Sequence, residues 1–355
     1  MTGSRHSGNL TEQQEKNEEY KRKRELRNLT IIVICAVVLA AVVFVCANIG
    51  YIKFSIPDIF RIFTGGGTNR ENLVVFEFRM PRIIVSILAG AALALSGCIL
   101  QGVVRNDLAD PGLLGINAGA GLLVILYVMF FGTQSFLSVF TLPFLALIGA
   151  GVATAAVYAL AFKRGEGVAP MRLILTGVAI QAGIAALTTV LVVKLDDDQF
   201  DFVARWQAGS IWGSSWDYVI ALLPWLLILV PYVMSKFRVL DVLNLGDSVA
   251  GSLGASVEKE RRGLLAAAAG LAASAVAIGG NISFVGLIAP HLGRRLVGPR
   301  HLVLLPTCAL LGAVLVSVAD TIARVIVEPS EIPTGIVVAI VGAPYFLYLL
   351  MRNKH

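Results

Sequence analysis

The sequence predicts an all-α polytopic membrane protein, and three observations carry that expectation: hydropathy, the spacing of apolar runs and the placement of charge. Of 355 residues, 57% are hydrophobic and only 15% charged. The mean hydropathy of +0.79 exceeds what a water-exposed surface tolerates. A helix needs about 20 apolar residues to cross the hydrocarbon core. On that ruler the chain offers ten runs, near 30–50, 83–104, 113–131, 140–162, 173–193, 218–235, 264–280, 282–297, 302–325 and 336–351. The eighth is short and holds Pro290 and His291, so charge decides whether it counts. Ten spans with the N-terminus inside place 21 of the 29 Lys and Arg on the cytoplasmic side, as the positive-inside rule requires. Nine spans would strand 264–291 in the cytoplasm, so ten spans with both termini inside is the expected topology.

Taken in chain order, residues 1–28 form a polar tail ending in "KRKRELR", too charged for a signal peptide and expected to stay cytoplasmic, ahead of a transmembrane domain over 29–355. The approach to the second run, "FRMPR", is basic at Arg79 and Arg82 on a side otherwise poor in cations. Between the second and third runs, Arg105, Asn106, Asp107 and Asp110 are expected at the cytoplasmic mouth. There Asn106 and Asp107 satisfy open helix ends and Pro111-Gly112 reverses the chain. The outer hairpins read as acidic, with Asp196, Asp197, Asp198 and Asp201, then Glu328 and Glu331. The long cytoplasmic loop 236–263 contains a short amphipathic helix, started by Asp247 or Ser248, with Val249, Ala250 and Leu253 on one face and Gly254 at its end. Asp320 and Arg324, four apart in the ninth run, are expected to pair on one helix face near the outer surface. His291 reads as a structural residue.

Several functions are excluded. The formal charge of +6 is segregated by loop, with no basic face for nucleic acid. Gly65-Gly66-Gly67 lacks the lysine of a phosphate loop, and no metalloprotease helix or nucleophile elbow is present, so the chain is not expected to be an enzyme or to hydrolyse ATP. Cys35, Cys46, Cys98 and Cys308 lie in apolar runs without metal-ligand spacing, and neither a cofactor nor a metal site is expected. The first seven spans carry no ionisable relay, so work must come from elsewhere. A separate ATPase gripping loop 236–263 would supply it.

Four segments in order, "RMPRIIVSILAGAALALSGCILQGVVRNDLADPGLLGINAGAG", "LNLGDSVAGSLG", "GNISFVGLIAPHLGRRLVGPRH" and "ADTIARVIVEPSEIPTGIVVAIVGAPYFLYLL", resemble the FecCD-type permeases, the membrane subunits of ABC importers for iron-siderophore complexes, haem and cobalamin. The resemblance runs from about residue 30 to the end. It implies a ten-helix permease of the type II ABC importer kind, paired with an identical or sister permease, two cytoplasmic ABC ATPase subunits and an extracytoplasmic solute-binding protein. The cargo it implies is an iron chelate, a ferric siderophore before haem or cobalamin. It further implies that Arg79, Arg82 and Arg324 dock the binding protein. It assigns ATPase coupling to Leu243, Leu245, Gly246, Asp247, Ala250, Leu253 and Gly254. Within this frame Gly90, Ala94, Gly97 and Gln101, three or four apart on the second helix, are expected to line a featureless pathway wall. The family's usual Asn-Pro is Asn106-Asp107 here. An ion-coupled secondary transporter is the alternative class.

Overall fold

Helix α1 (Gly3–Asn48) carries the polar tail and the first apolar run as one continuous rod. The computed structural model describes residues 3–49, 54–132, 138–164, 167–211, 213–254, 256–327 and 330–352. The expected acidic Glu328 lies outside them. Short helices α2 (Ile56–Phe63) and α3 (Asn69–Asn72) each begin with a capping box, Ser55 with Asp58 and Thr68 with Glu71, which satisfies donors that a helix start leaves open. A π-helical turn, Leu73–Arg79, feeds α4 (Met80–Val104), which ends at Arg105 in the left-handed conformation, φ 55°.

The chain then folds back. A 3-10 turn at Pro111–Leu114 leads to α5 (Ile116–Phe131) and α6 (Ser138–Ala161). A two-residue hairpin, β1 (Phe162–Lys163) and β2 (Gly167–Val168), pairs Phe162 with Val168 and Lys163 with Gly167. Next come α7 (Pro170–Val192), α8 (Asp197–Gln207), α9 (Trp216–Ser235), α10 (Phe237–Leu243) and α11 (Asp247–Ser252). The chain closes with α12 (Val257–Gly279), α13 (Val285–Val297), α14 (His301–Val325) and α15 (Thr334–Arg352).

Each of the ten apolar runs falls on its own helix: α1, α4 to α7, α9 and α12 to α15. Seven helices among the described residues are long and apolar enough to cross a membrane, and α5 and α15 are shorter apolar helices. Helix α13, with 13 residues, extends only about 20 Å. Its start therefore leaves non-helical backbone, 280–284, inside the bundle rather than at its end. Prolines 143, 224, 231, 290, 306 and 344 sit inside helices, as membrane helices tolerate where neighbours take over the freed carbonyls.

Helix α4 is the centre of the packing, buried along most of its length against α12, α13 and α14. Its stripe of small residues is a helix-packing seam. A Cβ on Gly90 would lie 2.3 Å from the Gly312 carbonyl oxygen of α14, and one on Gly97 would lie 1.9 Å from that of Gly286 on α13. Ala94 is fully buried beside Gly312. Gln101 is buried as well: its Nε2 donates to the carbonyls of Ala109 and Gly286, both at 3.2 Å, and its Oε1 accepts from Arg294 Nη2. The expectation that Gly90, Ala94, Gly97 and Gln101 form an open pathway wall is therefore corrected. In lipid, backbone proximity replaces the hydrophobic drive between helices, and small residues at this spacing serve that purpose. Open faces lie elsewhere: α1, α7 and α9 expose Val33, Val37, Leu175, Val190, Ile220 and Leu227, as helices facing hydrocarbon or a membrane partner do.

Candidate functional site

Three features of the bundle hold polar chemistry, one at each end and one between.

At the end carrying α2 and α3, Asp320 of α14 is 1% exposed and accepts from Arg82 Nε at 3.0 and 3.1 Å, Arg82 Nη2 at 2.9 Å and Thr334 Oγ1 at 3.0 Å. Arg324 approaches the same carboxylate at 3.4 Å, and Arg82 Nη1 reaches Glu331 at 2.8 Å. Arg79, also buried, donates to the Ala47 carbonyl at 2.6 Å and lies over the Phe54 ring. The structure places Arg79, Arg82 and Arg324 near one another at this end, buried or half-buried rather than as free surface cations. Burial makes each seek a partner, so they lock α1, α4, α14 and the turn before α15. The expected Asp320–Arg324 pair forms; the stronger partner is Arg82, 238 residues away in sequence, which helical spacing cannot reveal.

At the opposite end, α10 and α11 stand outside the helix bundle. Leu240, Leu243 and Ala250 are buried against it, whereas Leu245, Val249 and Leu253 are exposed. The expected single face of Val249, Ala250 and Leu253 is thus split, with Ala250 anchoring inward and the larger side chains pointing out. Gly246, at φ 107°, takes the N-cap position, and Gly254, at φ 84°, follows the end of the helix. Asp247 is not the cap. Its carboxylate binds Arg261 of α12 at 2.7 Å and Arg105 at the end of α4 at 3.2 Å. Arg261 also donates to the Val168 carbonyl of β2 at 3.0 Å. Lys236 pairs with Glu260 at 2.7 Å, and that hydrogen bond raises its pKa. Asp241 accepts from the His301 backbone N–H at 2.9 Å and contacts His301 Nδ1 at 2.7 Å. Burial pushes this carboxyl up, but the two His301 hydrogen bonds prevail and hold it below its ordinary value. A displacement of α10 and α11 would thus pull directly on α4, α12 and α14.

Between the ends, the 105–115 loop and the 280–284 segment meet instead of lying at opposite surfaces. Asp110 accepts from the Gly112 N–H at 2.8 Å, and Asn106 from the Leu108 N–H at 2.9 Å, so both hold the turn. Asp107 instead pairs with Arg294 at 3.2 Å. Arg105, paired with Asp247, and Asp107, paired with Arg294, lie at the α11 end of the bundle, whereas Asp110 does not. With Asn117, Gln181, Thr188, Trp206, Asn281 and Ser283, Asp110 lines a groove of about 490 Å³ between α5, α7, α8 and the 280–284 segment. Asn117 Nδ2 donates to Asn281 Oδ1 at 2.6 Å, Ser283 donates to the same oxygen at 3.1 Å, and Gln181 donates to the Gly112 carbonyl. Broken helices at membrane depth mark the polar sites of many transporters, because freed backbone and amides replace water there. Sequence reading passed over these residues by searching the runs for ionisable groups. The amides Asn117 and Gln181, alone in apolar surroundings, were the available signal. Among the described residues no group of three or more His, Cys, Asp or Glu could hold a metal ion.

The FecCD transport family matches residues 34–352. The chain is 48% identical over 328 residues to the iron(3+)-hydroxamate import system permease protein FhuG of Bacillus subtilis (strain 168), covering 91% of this chain and 97% of that protein. It is 42% identical to the Fe(3+)-citrate import system permease protein YfmE of the same organism, with 92% and 96% covered. It is 37% identical to the hemin transport system permease protein HmuU of Yersinia pestis, with 87% and 91% covered. A solved structure described as an inward-facing conformation of a putative metal-chelate type ABC transporter superposes with a TM-score of 0.81 at 30% identity, covering 91% of this chain and 99% of that one. With this match over nearly the whole bundle, the chain belongs to the FecCD transport family.

Proposed function

We propose that this chain is the permease subunit of an ABC importer that carries a ferric chelate, a hydroxamate siderophore foremost, into the cytoplasm. The supporting observation is the α10–α11 unit: Val249 on α11 and Leu245 and Leu253 in the turns flanking it are exposed, and the unit is ion-paired to the helix bundle through Asp247. An apolar patch on a rigid lever is what a separate motor needs to grip. On this reading the α10–α11 end and both termini face the cytoplasm of a bacterial cell. The chain then comprises the tail 1–28 and a membrane domain 29–355 whose loop 236–263 meets a pair of ABC ATPase subunits. A second permease, identical or sister, closes the pathway against the open α7 side, and the polar groove is this chain's wall of the cargo route. The extracytoplasmic solute-binding protein docks over the opposite end, where Arg79, Arg82 and Arg324 outnumber Asp320 and Glu331.

The test is uptake of a radioiron hydroxamate into liposomes holding the complete transporter. Uptake should require ATP, the ATPase and the binding protein, and Leu253→Asp should abolish ATPase association while the chain still accumulates in the membrane. Iron uptake by this chain alone, driven by an ion gradient, would overturn the proposal.

A further inference from the structure

We propose that the groove between α5, α7, α8 and the 280–284 segment is a charge filter that passes uncharged ferric chelates and rejects anionic ones. This inference rests on the reading of the groove as the cargo's route. Its lining contains no Lys, Arg or His, and its only ionisable group is the Asp110 carboxyl. The remaining polar side chains are neutral: the amides of Asn117, Gln181, Gln207 and Asn281, the hydroxyls of Thr188 and Ser283, and the indole of Trp206. The Asn117–Asn281 pair spends one donor and one acceptor on itself. The pair retains three N–H donors and the Asn117 Oδ1 acceptor, while Asn281 Oδ1 also accepts from Ser283. Such a surface suits a cargo whose outside is peptide or amide oxygen and nitrogen, with the iron enclosed. An anionic complex would enter a low-dielectric groove whose described lining offers no cation to offset its desolvation. The volume of about 490 Å³ lies within the range of sites for compact organic ligands. Arg82, Arg324, Arg261, Lys236 and Arg294 lie at the two ends of the bundle, where they are engaged with Asp320, Glu331, Asp247, Glu260 and Asp107.

The experiment uses the complete transporter in liposomes and two ferric trihydroxamates of identical coordination, one uncharged and one bearing a single peripheral carboxylate. Because one binding protein serves every arm, its own preference cancels when variants are compared. The wild type should move the uncharged complex about tenfold faster than the anionic one. Gln181→Lys should raise the anionic-to-neutral uptake ratio about tenfold. Thr188→Lys provides the same test at a second lining position should Gln181→Lys fail to accumulate. An anionic-to-neutral ratio that is the same in the wild type and both lysine variants overturns the filter. Ala185→Trp separates this failure from that of the route itself: uptake lost in Ala185→Trp with an unmoved ratio leaves the route and removes the filter, whereas full uptake in Ala185→Trp removes the route.

Discussion

Asp320→Asn tests the buried cluster that ties α4 to α14. The wild-type carboxylate is 1% exposed and receives three contacts from Arg82 between 2.9 and 3.1 Å, with Thr334 at 3.0 Å and Arg324 at 3.4 Å. The amide removes the one charge that both arginines share. Breaking a buried pair costs about 3–5 kcal/mol because the surviving charge stays buried. Arg82 keeps Glu331 at 2.8 Å, which places the expected loss at the low end, about 3 kcal/mol, or roughly 100-fold in the folded-to-unfolded ratio. The assay is denaturant-titrated unfolding of the purified chain in lipid-detergent micelles, repeated for Arg82→Met and the double variant. The cycle should return a coupling of about 1–3 kcal/mol between the two positions. Stability of Asp320→Asn within about 0.5 kcal/mol of wild type would refute the idea that this cluster, rather than lipid-facing packing, locks the helices.

Four further outcomes follow from the same geometry. Gly97→Val should destabilise by about 1–3 kcal/mol or more, since its Cβ would lie 1.9 Å from a backbone oxygen. Gly151→Ala on α6, with nothing within 4 Å of the added atom, should be neutral or stabilising by up to about 1 kcal/mol in the same titration. Asp247→Asn should retain ATP hydrolysis by the assembled transporter but lower chelate imported per ATP about tenfold, measured as paired uptake and phosphate release, because Arg105 and Arg261 lose their common partner. Asp241 has its carboxyl held below the ordinary value of 3.8. Its contribution to stability is therefore complete above that value and lost as pH falls through the lower folded-state pKa, and Asp241→Asn should flatten the melting-temperature slope between about pH 5 and pH 3.

The helices under the apolar runs were legible because length and hydropathy are one-dimensional properties: every such run fell on a helix, including the short α13. The α11 helix was legible too, bounded by the glycines that its ends require. What the sequence concealed was direction. Gly90, Ala94 and Gly97 present the same small face whether they border a tunnel or another backbone, and only the positions of Gly312 and Gly286 decide between the two. Asp247 at a helix start reads as a cap, and only Arg105 and Arg261, 142 and 14 residues away, turn it into a joint. The groove stayed hidden because its walls come from helices and loops far apart in the chain, around residues 110, 117, 181, 206 and 281. Their meeting depends on α13 being too short to span.

On the proposed function, cargo moves along the α5–α7 groove while ATP is spent at the α10–α11 surface. The most direct measurement is simultaneous ATP hydrolysis and iron uptake by the complete transporter carrying Ala185→Trp, whose indole would fill the groove from an exposed position on α7. The account predicts hydrolysis stimulated by the binding protein at near wild-type rate with uptake abolished. Uptake at the wild-type rate through a filled groove would contradict it.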